Sequence, residues 1–537
     1  MPIRSTGCLT CRKRKIRCDE GRPGCERCAI HGVPCLGYRA DQPAEIEFKD
    51  QTSLTAKRAE QRYKSKNAGA RSSSSGGTPD SSAHTGALSR TTSSSSDSVD
   101  EGLLSETQIM QILAANKPSS ASPVRFLSPI AERAQLYQEF IASYFPKRRY
   151  GLQSGHFTFF QAVVLKRSDQ VVLEQGLDAL SLVQLGSLHK DQRLLKQAGR
   201  VYGKALNSLA LAIGRGDFMH DDDVLAAVSC LAICELFEEI ANMGGGWAKH
   251  VQGSNVLFTA RGPESFKSEL AMLIYSNVKH GSLIWALISR KTPFMVDEQW
   301  EELALRVPHA TEDPETAFYS LALRVPVMLQ RYDEINTTSP TAEWEIEAVL
   351  DECKALELQL REWWTEWQDG ATVDNMNDLE LRPIDDFPTF TSLVPDRTFE
   401  HAYSFPDFQT AYLYSVFWIV MHYLRSNIQS LQKTRHEISV DWYPDADDVV
   451  HEDELLGYVL NLCQCIPFFV EPISCSAGHI GIFLPMRVAA FYFTAHGHWQ
   501  WLKWIGAVRN NVFTKGLSPP VVPNRPNFAL PTRPSDP

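Results

Sequence analysis

The first forty residues contain six cysteines in two copies of the spacing C-x2-C-x6-C. These are Cys8, Cys11 and Cys18, followed by Cys25, Cys28 and Cys35. Thiolate sulfur is a favoured ligand of Zn²⁺, and a structural zinc site needs four ligands. Each copy offers only three, but if one thiolate of each copy is shared, six sulfurs complete two sites. The spacing therefore predicts two Zn²⁺ ions held by all six cysteines.

The residues between the second and third cysteines differ between the two copies. In the second copy these positions, 29–34, carry no Lys or Arg, whereas in the first copy five of the six are cations: Arg12, Lys13, Arg14, Lys15 and Arg17. A short helix beginning near Cys11 would splay the cations around its end, where some reach phosphates and others reach base edges in the major groove. We therefore expect the first copy to bind double-stranded DNA and the second to act as scaffold, with Pro23 in the turn between them.

The cysteine spacing, the basic first copy and the proline-bearing connection resemble the fungal binuclear zinc cluster (Zn(2)-C6 fungal-type) transcription factors. The resemblance implies that Cys8 and Cys25 are the bridging ligands, and that Lys15 makes the principal base contact in a CGG-type triplet. It implies a nuclear protein acting at RNA polymerase II promoters, with phosphate contacts from Arg12, Lys13, Arg14 and Arg17. Transcriptional co-regulators and a homodimer are further candidate partners, although residues 36–71 lack the leucine heptad of the coiled coil that often follows the cluster in that family.

A second resemblance lies further along the chain, in the motifs Gly246-Trp247-x-x-His250-x-x-Gly253, Arg261-Gly262-Pro263 and Leu484-Pro485-Met486-Arg487. They resemble the fungal-specific transcription factor regulatory domain of the second type, and this implies an all-helical regulatory domain without assigned chemistry. Trp247 and His250 share a helical face and could line a ligand pocket, but a core histidine beneath a tryptophan is the favoured interpretation.

Charge and composition divide the chain of 537 residues into segments. Residues 1–71 hold 16 Lys/Arg and 8 Asp/Glu, whereas residues 72–537 hold 37 and 56, so a basic segment precedes an acidic one. A basic segment suits a polyanion such as nucleic acid. We predict a small binuclear zinc cluster domain with two short helices over residues 1–40, a disordered basic and Ser-rich linker over 41–125, a large all-α regulatory domain over 126–515, and a Pro-rich flexible tail over 516–537.

Apolar periodicity predicts two particular helices in the third segment. One covers residues 225–240, with Asp223 as N-cap and Gly244 to Gly246 as the stop. The other runs from Ala342 to Trp367 with an apolar seam that needs a partner helix, either inside the domain, which is favoured, or across a dimer. A shorter helix is expected near Thr107 to Ala115, and the acidic stretch Asp385 to Phe390 is interpreted as a loop rather than an activation segment.

The sequence contains none of the common catalytic signatures: no P-loop, no G-x-S-x-G, no H-E-x-x-H and no G-x-G-x-x-G. We therefore predict no catalytic residue and no enzyme activity. The alternative is a DNA-tethered protein whose helical body binds a small molecule or has an unrecognised enzymatic activity. The charge-free run from Phe408 to Leu424 contains polar residues typical of a core helix, so we expect no membrane partner. No signal segment opens the chain, which favours metal-bound thiolates over disulfides.

Overall fold

The computed structural model describes residues 8–14, 18–19, 25–33, 35, 129–146, 155–166, 170–238, 240–241, 245–306, 314–370, 379–513 and 516–518. The chain divides into two compact units, Met1–Ser119 and Ser120–Pro537, and we call the second unit the body. The predicted linker, the short helix expected near residues 107–115 and most of the proline-rich tail lie outside the described residues.

The N-terminal unit contains two five-residue helices, α1 (Leu9–Lys13) and α2 (Glu26–Ile30). Helix α1 begins directly after Cys8, two residues earlier than predicted, because the amide of Cys11 donates to the sulfur of Cys8 and so closes the first turn. Each helix follows the first cysteine of one copy of the repeat. The sequence repeat is therefore also a structural repeat.

The body is built almost entirely of helices, which confirms the predicted fold class. The helices are α3 (Pro129–Tyr144), α4 (Gly155–Leu165), α5 (Val171–His189), α6 (Gln192–Arg215), α7 (Asp222–Cys234), α8 (Gly246–Arg261), α9 (Glu269–Ser289), α10 (Glu298–Leu305), α11 (Pro314–Ala322), α12 (Val325–Glu334), α13 (Ala342–Gly370), α14 (Pro388–Leu393), α15 (Phe408–Ile438), α16 (Glu452–Val470), α17 (Cys475–Gly481), α18 (Phe483–Ala495) and α19 (Trp499–Val512). Two short strands, β1 (Glu380–Pro383) and β2 (His401–Ser404), add an antiparallel ribbon in which Leu381 pairs with Tyr403.

Two apolar helices form the centre of the body. Helix α5 packs against α6 and α7, and 13 of its 19 residues are buried. Helix α15 begins at its N-cap Asp407, whose side chain accepts from the amide of Thr410 at 2.8 Å, and it packs against α13 and α16. The charge-free run from Phe408 to Leu424 is therefore a core helix, as predicted. The body also holds six cysteines between positions 230 and 475; five are buried, Cys475 is partly exposed, and all six are free thiols.

The predicted apolar seam of α13 is confirmed. All eight seam residues are buried: Ile346, Val349, Leu350, Cys353, Leu356, Leu360, Trp363 and Trp367. They face α11, α12 and α15, and the ring of Trp364 stacks on that of Phe417 with centroids 3.9 Å apart. The seam therefore packs inside the body, as favoured, rather than across a dimer.

The helix predicted over residues 225–240 is shorter than expected. Its N-cap is Asp221, which accepts from the amide of Asp223 at 2.9 Å, and Asp223 is instead buried in an ion pair with Lys166. Helix α7 ends at Cys234, well before the predicted glycine stop, and the chain then turns so that Phe237 forms an antiparallel bridge with Leu517. The amide of Glu238 donates to the carbonyl of Gly516 at 2.8 Å, so the body extends three residues past its predicted end.

Short helical turns occupy the acidic stretch from Asp385 to Phe390. Residues Ile384–Asp386 form a 3₁₀ turn, α14 follows at Pro388, and Phe390 is fully buried. The amide of Phe390 donates to the carboxylate of Glu471 at 3.0 Å. The stretch is predicted to be a loop, but it forms helical turns because buried Phe390 packs it into the body.

Within the described ranges, no single helix is both long and apolar enough to cross a membrane. The bent pair Ala446–Val470 and Pro472–Gly481, with an angle of 84° between its parts, passes by length and composition only, and most of its apolar residues are buried in the body.

Candidate metal centre and nucleic-acid interface

The six N-terminal cysteines converge on one small cluster of sulfur atoms. Two groups of four sulfurs can be drawn in which all members lie within 4.8 Å of one another: Cys8, Cys11, Cys18 and Cys25 form one, and Cys8, Cys25, Cys28 and Cys35 form the other. Cys8 and Cys25 belong to both groups. The predicted set of six therefore comes together as two tetrads that share two sulfurs.

The sulfur spacing fits the size of a zinc site. Sγ atoms lie 3.5 Å apart in the Cys8–Cys25 pair, 3.6 Å in Cys11–Cys25 and 3.8 Å in Cys8–Cys28. A tetrahedron with Zn–S distances of about 2.3 Å has edges of about 3.8 Å. The donor set, all sulfur and four per group, is likewise that of a structural zinc site, and bound zinc would neutralise thiolate charge in this cluster.

Backbone amides hold the sulfurs in the same way in both copies. The amide of Cys11 donates to the sulfur of Cys8 at 3.3 Å, and that of Cys28 to Cys25 at 3.4 Å. The amide of Cys8 donates to Cys18 at 3.3 Å, and that of Cys25 to Cys35 at 3.4 Å. These bonds place partial positive charge beside each acceptor sulfur, which favours the thiolate form that binds metal.

Burial makes ionisation of two thiols in the cluster unfavourable. Burial is the main reason that the pKa of the Cys11 thiol is raised to about 12, and it raises the pKa of Cys25 further. Burial of uncompensated negative charge in so small a volume is costly. A bound divalent cation would remove that cost and would thereby couple metal binding to folding of this unit.

Asp19, which the sequence analysis did not single out, positions the second copy. Its carboxylate accepts from the amide of Glu26 at 2.8 Å and from that of Arg27 at 3.1 Å, and so caps α2 together with Cys25. The signal in the sequence is an acidic residue directly after Cys18 and seven residues before the start of α2.

Part of the predicted DNA-binding set lies within the described residues. Lys13 ends α1 and Arg14 follows it, and both side chains are exposed. The backbone of Arg12 lies within α1, whereas Lys15 and Arg17 lie outside the described residues. Exposed Lys13 and buried Cys11 thus belong to the same short helix, and Arg14 follows directly after it, so these cations lie close in sequence to the sulfur cluster.

The motif residues of the body have structural partners. His250 is largely buried on α8, accepts or donates a 3.2 Å hydrogen bond with the Tyr202 hydroxyl, and has its pKa lowered to about 4 by burial. Trp247 is buried on the same helix. Arg261 is 4% exposed and pairs with Asp222 at 2.6 Å. These contacts agree with the interpretation of His250 as a core histidine.

Parts of the chain are similar to known proteins. Residues 6–44 match the fungal Zn(2)-Cys(6) binuclear cluster domain. An uncharacterized protein of Emericella nidulans is 27% identical over 233 residues, which is 41% of this chain and 48% of that protein. No solved structure matches.

Two relatives with named roles match over the cysteine region. A Zn(2)-C6 fungal-type transcription factor of Aspergillus fumigatus is 52% identical over 40 residues, 7% of this chain and 10% of that protein. White-opaque regulator 2 of Candida albicans is 59% identical over 34 residues, 6% of this chain and 8% of that protein. The chain thus spans about half the length of the Emericella relative and a tenth or less of these two.

The regulatory domain of the second type, suggested by three body motifs, stays a prediction, because the family match ends at residue 44. The match covers all six cysteines and the five cations of the first copy, and the sulfurs of that region form two overlapping tetrads. Residues 6–44 of this chain therefore form a domain of the fungal Zn(2)-Cys(6) binuclear cluster type.

Proposed function

We propose that the chain is a zinc-dependent, sequence-specific transcription factor that binds double-stranded DNA in the nucleus at RNA polymerase II promoters. The observation that carries the proposal is the pair of tetrads that share Cys8 and Cys25 beside exposed Lys13 and Arg14. All six cysteines hold two Zn²⁺ ions, and the two shared cysteines bridge them. The Aspergillus fumigatus relative, named as a transcription factor, and the Candida albicans relative, named as a regulator, support this function and give no support to an enzyme.

The basic residues of the first copy divide into two roles in this proposal. Lys15 reads base edges of a CGG-type triplet in the major groove, and the arginines together with Lys13 contact phosphates. The exposed end of α1 is a rigid support for these contacts because its first turn is fixed to the metal cluster. The body supplies regulation, through co-regulators or through a second copy of the chain.

The test is selection of duplex sites from a random library by the full-length protein, with zinc and with a chelator. Enrichment of CGG-type triplets only with zinc is the expected result, and single or paired triplets will report whether the protein binds as a monomer or a dimer. Cys11→Ser should lose the enrichment, and Cys475→Ser, remote from the cluster in sequence, should keep it. A selection that yields no preferred sequence with zinc would overturn the proposal.

A further inference from the structure

Helix α6 differs in charge from the acidic segment that surrounds it in sequence. Residues 72–537 contain 37 Lys/Arg against 56 Asp/Glu, yet the 24 residues of α6 include five cations and no acid. The cations are Arg193, Lys196, Arg200, Lys204 and Arg215. A solvated helix face usually mixes the two signs of charge, so a face with one sign calls for a partner of the opposite sign.

Four of these cations form a single row, which we call the basic face: Arg193, Lys196, Arg200 and Lys204. Their spacing of three, four and four residues places them on one side of a helix. The opposite side packs into the core through Leu195, Ala198, Tyr202, Ala205, Leu209 and Ala212. The basic face therefore points away from the body along about 16 Å of helix, at about 1.5 Å per residue.

The basic face is available for binding. All four side chains are exposed, as is that of Lys190 just before the helix. Arg193 pairs with Asp191 at 3.0 Å. Within the described part of the chain, Lys196, Arg200 and Lys204 have no hydrogen-bond or ion-pair partner. Three adjacent cations are thus uncompensated.

The form of α6 selects the class of partner. A basic amphipathic helix that inserts into a lipid surface uses its apolar face, but the apolar face of α6 is already covered by the body. Binding must therefore rely on charge, which favours a stiff polyanion with evenly spaced charges. Each strand of duplex DNA presents a phosphate about every 3.4 Å along the axis, so the basic face spans about five phosphates.

We propose that the basic face of α6 is a second DNA contact, one that binds backbone phosphates outside the triplets read by the N-terminal cluster. This rests on the proposed function, which brings the chain to duplex DNA. The contact is independent of sequence, because lysine and arginine side chains on phosphates carry no base information. It adds affinity and salt dependence, and it makes the affinity depend on the length of DNA that flanks the triplets.

The test compares two full-length variants that lose the same three charges. The first, K196Q/R200Q/K204Q, removes the uncompensated part of the basic face. The control, K267Q/K291Q/K503Q, removes three exposed lysines from other elements of the body. Each is measured against a short duplex that ends at the selected triplets and a long duplex that extends several helical turns beyond them, over a series of salt concentrations.

We expect the α6 variant to bind the long duplex about tenfold more weakly at low salt, with a salt slope smaller by about 2 to 3, since each phosphate contact contributes about 0.9. Its affinity for the short duplex and its preference for the triplets should be unchanged, and the control should behave as the parent. Equal losses of affinity for the long duplex in both variants would show an effect of net charge. An unchanged salt slope in the α6 variant would mean that the basic face binds an acidic protein or is only solvated. Either result would overturn the inference.

The two proposals fail separately. If full-length protein shows no zinc-dependent sequence preference, the proposed function falls, but a flatter slope in the α6 variant would still identify a phosphate-binding surface. If the sequence preference is present and the α6 variant matches the control, the proposed function stands and the second contact is rejected.

Discussion

The sulfurs of Cys8 and Cys25 lie 3.5 Å apart, and each belongs to both cysteine tetrads. The other four cysteines belong to one tetrad each. Cys8 and Cys25 also occupy equivalent positions, each directly before a five-residue helix whose first turn donates an amide to the sulfur. Loss of a shared sulfur should therefore remove more bound zinc than loss of an unshared sulfur.

Cys8→Ser should remove both zinc ions, and Cys18→Ser should remove one. The reason is that Cys8 belongs to both sulfur groups, whereas Cys18 belongs only to the group with Cys11. The measurement is zinc per chain on purified full-length protein, expected to fall from two to none and to one, respectively.

The matched control is Cys475→Ser. Cys475 is partly exposed, and its thiol donates to the carbonyl of Pro472, a bond that a serine hydroxyl can replace. This variant should keep two zinc ions. Equal zinc content in the Cys8 and Cys18 variants would contradict shared ligation.

Lys15→Ala should lower affinity for the preferred site far more than for random duplex, by about 1 to 3 kcal/mol of specificity, because a base contact discriminates between sequences. Arg12→Ala should weaken both by a similar factor, because a phosphate contact does not. Competition binding of full-length variants with specific and random duplex measures the two effects. If the two variants lose specificity equally, the division of roles is wrong.

The metal site was predictable because its information is local. Six cysteines within 28 positions have few ways to complete tetrahedral sites, and the tetrads agree with the sharing inferred from their spacing. The long apolar seam of α13 was predictable for a similar reason, since its periodicity continues from Ile346 to Trp367, over about six turns. In both cases, the residues that form the local sequence pattern are also the residues that make the tertiary contacts.

The errors occurred where tertiary contacts override local pattern. Leu236 and Ile240 continue the apolar spacing of α7 and are buried, but they lie beyond the end of the helix, in a turn that pairs with Leu517. The sequence pattern predicts Asp223 as an N-cap, but it is buried in an ion pair with Lys166, which directly follows helix α4. Contacts with residues distant in sequence cannot be predicted from the local pattern.

Asp222→Ala should destabilise the body by about 3 to 5 kcal/mol, because it leaves the buried Arg261 cation without its partner. The pair is 2.6 Å long, Arg261 is 4% exposed, and Asp222 also accepts from the Ser268 hydroxyl at 2.5 Å. Urea unfolding followed by tryptophan fluorescence measures the loss. This result would show that the arginine of the motif Arg261-Gly262-Pro263 stabilises the fold.

Two further variants separate this explanation from a general effect of mutation. Arg215→Gln breaks an ion pair in which Arg215 is 61% exposed, and it should cost at most about 1 kcal/mol. The double variant D222A/R261M should be more stable than Asp222→Ala alone, because no buried charge is left unpaired. A double variant less stable than the single one would contradict this account.

The body should lose stability as the pH falls from about 6.5 to about 4. Burial on α15 lowers the pKa of His422 to about 4 from its ordinary value of 6.5, and burial does the same for His250. Below the unfolded value, the unfolded chain gains a proton that the folded chain excludes. Each histidine should therefore cost about 2 kcal/mol between pH 7.5 and pH 5, measured by urea unfolding.

His422→Gln is the informative variant, because glutamine keeps polarity but does not titrate in this range. Its stability should depend less steeply on pH between 7 and 5 than that of the parent, whatever its absolute level. The nearby carboxylate of Glu452 adds little to the pH dependence in this interval. Burial raises its pKa, but hydrogen bonds from Tyr492 and Gln429 outweigh burial, so the pKa lies below its ordinary value of 4.5. His451→Gln, at the exposed N-cap of α16, is the control and should keep the parental slope. An unchanged slope in His422→Gln would mean that the folded body accommodates a charged His422, and the pH dependence would have to come from other groups.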